Sequence, residues 1–304
     1  MMRWLVCCCV LWSSLLLAAE TTSGASPATP TTETITETQA AANEVVPAGE
    51  PATSDATNTT SAASAATPTE PTTSAAEPTE QDPEYLAQQQ DWQQHSDARQ
   101  FGQNWVLLHK SEQSYQLGVA IFLPEWQQTA SLLPLSQALS RQGFDCVILL
   151  PTPQQQAVNP GDEKQQEAIT KQLELWSSRL ASVDENLNAS GGHRLLLAQG
   201  SSAVWLGQLL NADKINKPDA VILLNAFYPD KQANLLQATQ LSSSTLPVLD
   251  LYQAERSNWL TQAAQQRQIA VKRATKLNWR QQTINDLTDS PERIKGWLTT
   301  LGWK

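Results

Sequence analysis

Histidine is nearly missing from this chain: 304 residues hold three, His95, His109 and His193, and none follows His193. Cysteine is equally scarce. Three of the four cysteines, Cys7, Cys8 and Cys9, crowd the first nine positions, so Cys146 stands alone in the remainder and no internal disulfide is available to it. No Cys or His spacing suits zinc, no glycine-rich loop suits a phosphate and no EF-hand loop is present. No metal or other cofactor is expected. From Glu20 to Glu84 there is not one Lys or Arg, against 11 Asp and Glu, and Ile35, Val45 and Val46 are the only large apolar residues. A stretch so poor in apolar surface cannot offset the entropy of ordering it.

These absences divide the chain. Residues 1–19, Met-Met-Arg and then an apolar run from Trp4 to Ala19 ending in small residues, have the make-up of a secretory signal peptide. At 16 residues the run is short of the ~20 a membrane span needs, so no transmembrane segment is expected once the signal is removed. Residues 20–84 read as a disordered, acidic linker rich in Thr, Pro, Ala and Ser, and 85–304 as one folded domain. The net charge of −10 belongs to the linker, which takes 11 of the 30 acids; Arg3 is one of the 20 bases, leaving 19 of each from Tyr85 onward. A formally neutral domain gives no reason to expect nucleic acid as a partner. The run Arg256 to Arg280, with Arg267, Lys272, Arg273 and Lys276, reads as a solvated helix face. Asn58-Thr59-Thr60 and Asn188-Ala189-Ser190 are short enough to match a glycosylation pattern by chance.

Within 85–304, apolar runs of strand length alternate with amphipathic ones of helix length. Strands are expected near Trp105–His109, Leu117–Leu123, Phe144–Leu150, Arg194–Ala198, Ala220–Leu224 and Leu246–Tyr252. Helices are expected over Leu132–Arg141, Glu163–Val183, Ala203–Leu210, Gln232–Thr239, Asn258–Arg273 and Pro291–Leu301, the last capped by Ser290. A Gln-rich helix, Pro83–Phe101, leads in. Continuously apolar strands separated by helices predict an α/β domain, a mostly parallel sheet with helices on both faces.

The turn Ala198-Gln199-Gly200-Ser201-Ser202-Ala203, between an expected strand and an expected helix, resembles the Gly-x-Ser-x-Gly nucleophile elbow of the α/β-hydrolases. Laid on that pattern, Ala198 and Ser202 take the two glycine positions and Gly200 takes the nucleophile. The strand Leu246-Pro247-Val248-Leu249-Asp250-Leu251-Tyr252 resembles the one after which that fold sets its acid, with Glu255 near the acid's place. The catalytic histidine of the fold would follow, and none does. Together with the ending Arg293-Ile294-Lys295-Gly296-Trp297-Leu298, these segments resemble a family of uncharacterised exported bacterial proteins of α/β-hydrolase-like fold, in which glycine commonly stands at the nucleophile position. The His-Gly pair that the fold places after its first buried strand reads Leu123-Pro124-Glu125-Trp126 here, a departure at the oxyanion-hole loop.

Ser201 and Ser202 remain available hydroxyls, read as helix caps, with His109 and His193 as distant surface histidines. Asp250 is read as paired inside the domain and Glu255 as a solvated loop acid. The expectation is a non-catalytic α/β-hydrolase-like module exported to the periplasm or envelope of a Gram-negative bacterium, serving an envelope protein or a small-molecule ligand. The competing expectation is a divergent serine hydrolase using Ser201 or Ser202. In a third, the linker itself acts, spacing the domain from a surface by about 45 Å as a flexible coil.

Overall fold

The computed structural model describes residues 83–187 and 191–303. The expected signal at 1–19, the linker up to residue 82 and the Asn188-Ala189-Ser190 triplet lie outside the described residues.

The lead-in segment is not one helix. Helix α1 (Pro83–Gln93) stops, and strand β1 (Ala98–Phe101) turns back through Gly102, at φ +59°, into β2 (Asn104–His109). Phe101 pairs with Asn104 across this two-residue turn. A four-residue strand is too short to display an alternation that competes with the helical spacing of the glutamines before it. The chain continues as β3 (Gly118–Leu123), α2 (Thr129–Ser140), β4 (Phe144–Leu149), the single turn α3 (Gln154–Ala157) and α4 (Gln166–Leu187). It ends with β5 (His193–Gln199), α5 (Ser202–Asn211), β6 (Ala220–Leu224), α6 (Lys231–Ser243), β7 (Val248–Tyr252), α7 (Asn258–Arg273), β8 (Trp279–Thr283) and α8 (Ser290–Thr300).

Eight strands form one sheet in the order β1-β2-β4-β3-β5-β6-β7-β8. β2 pairs antiparallel with β1 and β4, and every pair from β4 to β8 is parallel. Alternate residues of each central strand enter opposite cores. Ile121, Leu196 and Leu223 pack with Trp176 and Leu180 of α4 and Trp205 of α5. Ala120, Leu197 and Ile222 pack with Leu135 of α2 and Trp297 of α8. Covering both faces is why these strands are apolar at every position.

One expectation about a helix start and one about charge change here. Ser290 is not a cap: it lies inside α8 with a buried hydroxyl that has no partner among the described residues. The cap lies a turn earlier, where Asp286 and Asp289 satisfy each other's backbone N–H groups in a capping box. Arg267, read as part of a solvated face, is fully buried in α7. Its Nε and Nη2 donate to both oxygens of Asp250, at 2.8 and 3.0 Å, and Nη1 donates to the Ala226 carbonyl at 2.7 Å. Gln281 of β8 adds a fourth bond, to Asp250 Oδ2 at 2.7 Å. Asp250 alternates with Leu249 and Leu251, so it leaves the α2/α8 face and meets α7; this pair fixes α7 and the polar edge strand β8 to β7.

Candidate functional site

Every parallel strand ends at the same edge of the sheet, and the loops that follow β3, β5, β6, β7 and β8 converge there. The turn after β5 is sharp and left-handed at Gly200, φ +56°. It is held by Gly200 N donating to Leu224 O at 3.0 Å and by Gly200 O accepting from Ala203 N at 3.2 Å. A residue with a Cβ would be strained at that φ. Ser201 then enters helical geometry and α5 begins.

From the end of β3, Glu125 reaches across to this turn. Its Oε1 accepts from Ser201 Oγ at 2.8 Å and from Trp126 N at 3.0 Å, and its Oε2 accepts from Ser201 N. A Cβ built on Gly200 would lie 2.1 Å from Oε2 and 3.1 Å from the Cβ of Glu125. The carboxylate and a side chain at position 200 therefore compete for one space. In the α/β-hydrolase arrangement the N–H of the residue after the nucleophile helps to bind the oxyanion. Here that N–H belongs to Ser201 and already holds an anion, favourably placed at the positive end of the ten-residue α5.

Neither serine caps α5. Ser201 makes no side-chain cap bond and gives its hydroxyl to Glu125. Ser202, fully buried, gives its own to Pro124 O at 2.6 Å and accepts from Gln155 Nε2 at 2.9 Å. Gln199 joins the same loop, taking Glu125 N at 3.4 Å and donating to Ser131 Oγ at 3.0 Å. The two loops are thus tied by polar contacts on either side of Gly200.

Where this fold keeps its acid and base, neutral amides stand. Gln253, just past β7, donates its N–H to Asn225 Oδ1 at 2.8 Å and accepts from Asn225 Nδ2 at 2.7 Å; its own Nε2 donates to Asn285 O, past β8, at 3.0 Å. Glu255 is exposed and faces a cavity shared with Gln253, Thr283 and Asn285 rather than the space beside Gly200. Asp250 is consumed by Arg267, two residues deeper in β7.

The histidines are elsewhere. His109 is buried, not superficial, with Nδ1 2.6 Å from Ser136 Oγ and Nε2 3.0 Å from Asp97 Oδ2. β1 and β4 pair with its strand on either side. Ser136 is itself fully buried, which closes that Ser-His-Asp cluster to any substrate. His193 opens β5, at the far end from Gly200, and stacks on Trp303 with ring centres 3.9 Å apart. Among the described residues no group of His, Cys, Asp or Glu could hold a metal ion.

Open space flanks Glu125 on both sides. A cavity of about 550 Å³ is lined by Glu125, Gln156, Ser201, Phe227, Tyr228 and Pro229. A smaller one of about 230 Å³ has Trp126, Gly200, Asn225, Phe227, Arg256 and Leu260 in its walls. Burial, with Glu125 and Asp230 nearby, pushes the Tyr228 hydroxyl up to about 12, so it stays protonated and donates to Val158 O at 3.2 Å. Position 125 was noticed in the sequence only as a missing His-Gly. That an acid in that loop would meet a glycine at the elbow had no signal in either segment alone.

A candidate carboxylesterase from Lactobacillus plantarum aligns over 68% of this chain and 97% of its own, with a TM-score of 0.50 and 9% identity. TT1662 from Thermus thermophilus covers 68% and 96% at a TM-score of 0.48 and 13% identity. A lipase/esterase from Lactobacillus plantarum covers 68% and 97% at 0.48 and 10%. At these identities the likeness is one of fold, and the fold of this chain is that of the α/β-hydrolases. No curated protein matches the sequence. The family model described as a protein of unknown function, DUF3530, matches residues 8–301, almost the whole length, and the chain belongs to that family.

Proposed function

We propose that the domain is a non-catalytic binding module built on the α/β-hydrolase fold, working after export in the bacterial cell envelope. One observation carries the non-catalytic reading: the carboxylate of Glu125 sits on the Ser201 N–H and fills the space beside Gly200. A nucleophile at position 200 and an oxyanion on that N–H are both displaced by it. The neutral Gln253 and Asn285, at the acid and base positions, support the same reading. The export half rests on the composition of residues 1–19, and a mature protein beginning near Glu20 by mass spectrometry is its test.

The second reading is a serine hydrolase with Ser201 as nucleophile, favoured by the 2.8 Å contact of its Oγ with a carboxylate. Physical chemistry weighs against it. A carboxylate is a far weaker base toward a hydroxyl than an imidazole, and the same carboxylate occupies the oxyanion donor the reaction requires. A fluorophosphonate probe separates the readings. The domain is expected to remain unlabelled over hours at neutral pH and to show no ester turnover beyond that of Ser201→Ala. Stoichiometric labelling lost in Ser201→Ala would establish the hydrolase instead.

A further inference from the structure

We propose that Glu125 is an intramolecular ligand, and that the site it fills recognises an apolar monocarboxylate, whose head group takes the place of the Glu125 carboxylate. The inference rests on the binding-module reading above and gives that site a ligand class.

Three donors converge on one carboxylate: Ser201 N–H, Ser201 Oγ–H and Trp126 N–H. No ion pair holds Glu125 among the described residues. The cradle itself therefore selects the chemistry, and it is built for an anion with two adjacent oxygens. Around it, Phe227, Tyr228 and Pro229 make one wall of the larger cavity largely apolar, and its volume of about 550 Å³ is ample for a short hydrocarbon chain. Arg256, in the wall of the smaller cavity, adds positive charge on the other side of Glu125. An anionic head with an apolar body matches both parts. As long as Glu125 is seated, a free carboxylate competes with one tethered a few bonds from the cradle, at the high effective concentration that tethering gives. Binding in the intact protein thus requires Glu125 to swing out, and the site is latched rather than open.

Glu125→Ala removes the latch and leaves the donors. Its thermal midpoint is expected to fall in plain buffer and to rise again with sodium hexanoate, the wild type responding at least tenfold more weakly. Each buried methylene strengthens binding about fourfold, so acetate should need at least tenfold more ligand for the same rise. Hexylamine, with the same body and the opposite charge, should give none. Glu125→Gln keeps a side chain in the cradle and should not gain hexanoate binding. Equal responses from wild type and Glu125→Ala, or a response to hexylamine matching that to hexanoate, would overturn the proposal, as would full gain in Glu125→Gln. If Glu125→Ala does not fold in buffer, recovery of a cooperative melt in hexanoate supports the proposal and lack of recovery counts against it. Turnover of hexanoate esters by either protein would sink the non-catalytic reading while leaving carboxylate binding intact; loss of binding without turnover would sink only the present inference.

Discussion

Gly200 and Glu125 are each departures from the hydrolase pattern, one at the elbow and one in the loop after β3, and the geometry makes them a single device. The glycine suits a φ of +56°, and a side chain there would have to displace the Glu125 carboxylate oxygen that lies where its Cβ would stand. Gly200→Ser should therefore cost more than the roughly 1–3 kcal/mol of positive-φ strain, because it also drives Glu125 from donors worth about 1.5–3 kcal/mol for a charged acceptor. In a Glu125→Ala background only the strain should remain. A double-mutant cycle in urea is expected to show a coupling of about 1 kcal/mol or more between the two positions, and strict additivity would show that the carboxylate is not in the way. The sequence displayed both residues and hid their relation, since they lie 75 positions apart and only the adjacency of β3 and β5 joins them.

Among the elements, those with strong periodicity stand where expected: α7 spans Asn258–Arg273 and β6 spans Ala220–Leu224, whereas Ser290, read as the cap of the last helix, is not one. What escaped were the two edges, β1 and β8, where pairing on one side only removes the need for apolar residues. Trp279-Arg280-Gln281-Gln282-Thr283 has no hydrophobic run, and its place is set by β7 and by Gln281 binding Asp250. The helix cations were equally opaque: nothing in the spacing of Arg267, Lys272 and Arg273 says that the first is buried and the others exposed. Removing Arg267 leaves Asp250 as an uncompensated charge in the core, so Arg267→Ala should destabilise by about 3–5 kcal/mol. Replacing both members together, as Asp250→Leu with Arg267→Met, should recover most of that loss. A single variant as stable as the wild type in chemical denaturation would contradict the fully buried pair.

At the scale of the whole molecule, the sheet is sealed on both faces, and Cys146 reports on the seal. It is fully buried in β4, and burial together with Asp145 pushes its thiol pKa well up. The reactive thiolate is thus scarce as well as inaccessible. Labelling of the native domain by a thiol reagent at pH 8 should be slower than that of the unfolded chain by a factor on the order of the folding equilibrium constant, about 10³ or more. It should accelerate in urea in step with loss of tryptophan signal. Rapid labelling without urea would mean that β4 opens locally. The mostly parallel sheet and its two cores were legible because continuously apolar strands have no other stable home; the turn at Gly200 was legible from its small residues, but the contacts Glu125, Gln199, Asn225 and Gln253 make around it were not, because single polar residues in loops carry no pattern.

The exclusion between a carboxylate and a side chain at position 200 also bears on how this family can change. A chain that acquires serine at 200 while keeping Glu125 is strained and crowded. One that loses Glu125 while keeping glycine leaves three donors facing empty space. Each single step is expected to lower stability, and no histidine follows β8 to serve as a base. On the binding-module reading, a nucleophile at position 200 thus needs at least two coupled substitutions, serine at 200 and loss of the Glu125 carboxylate.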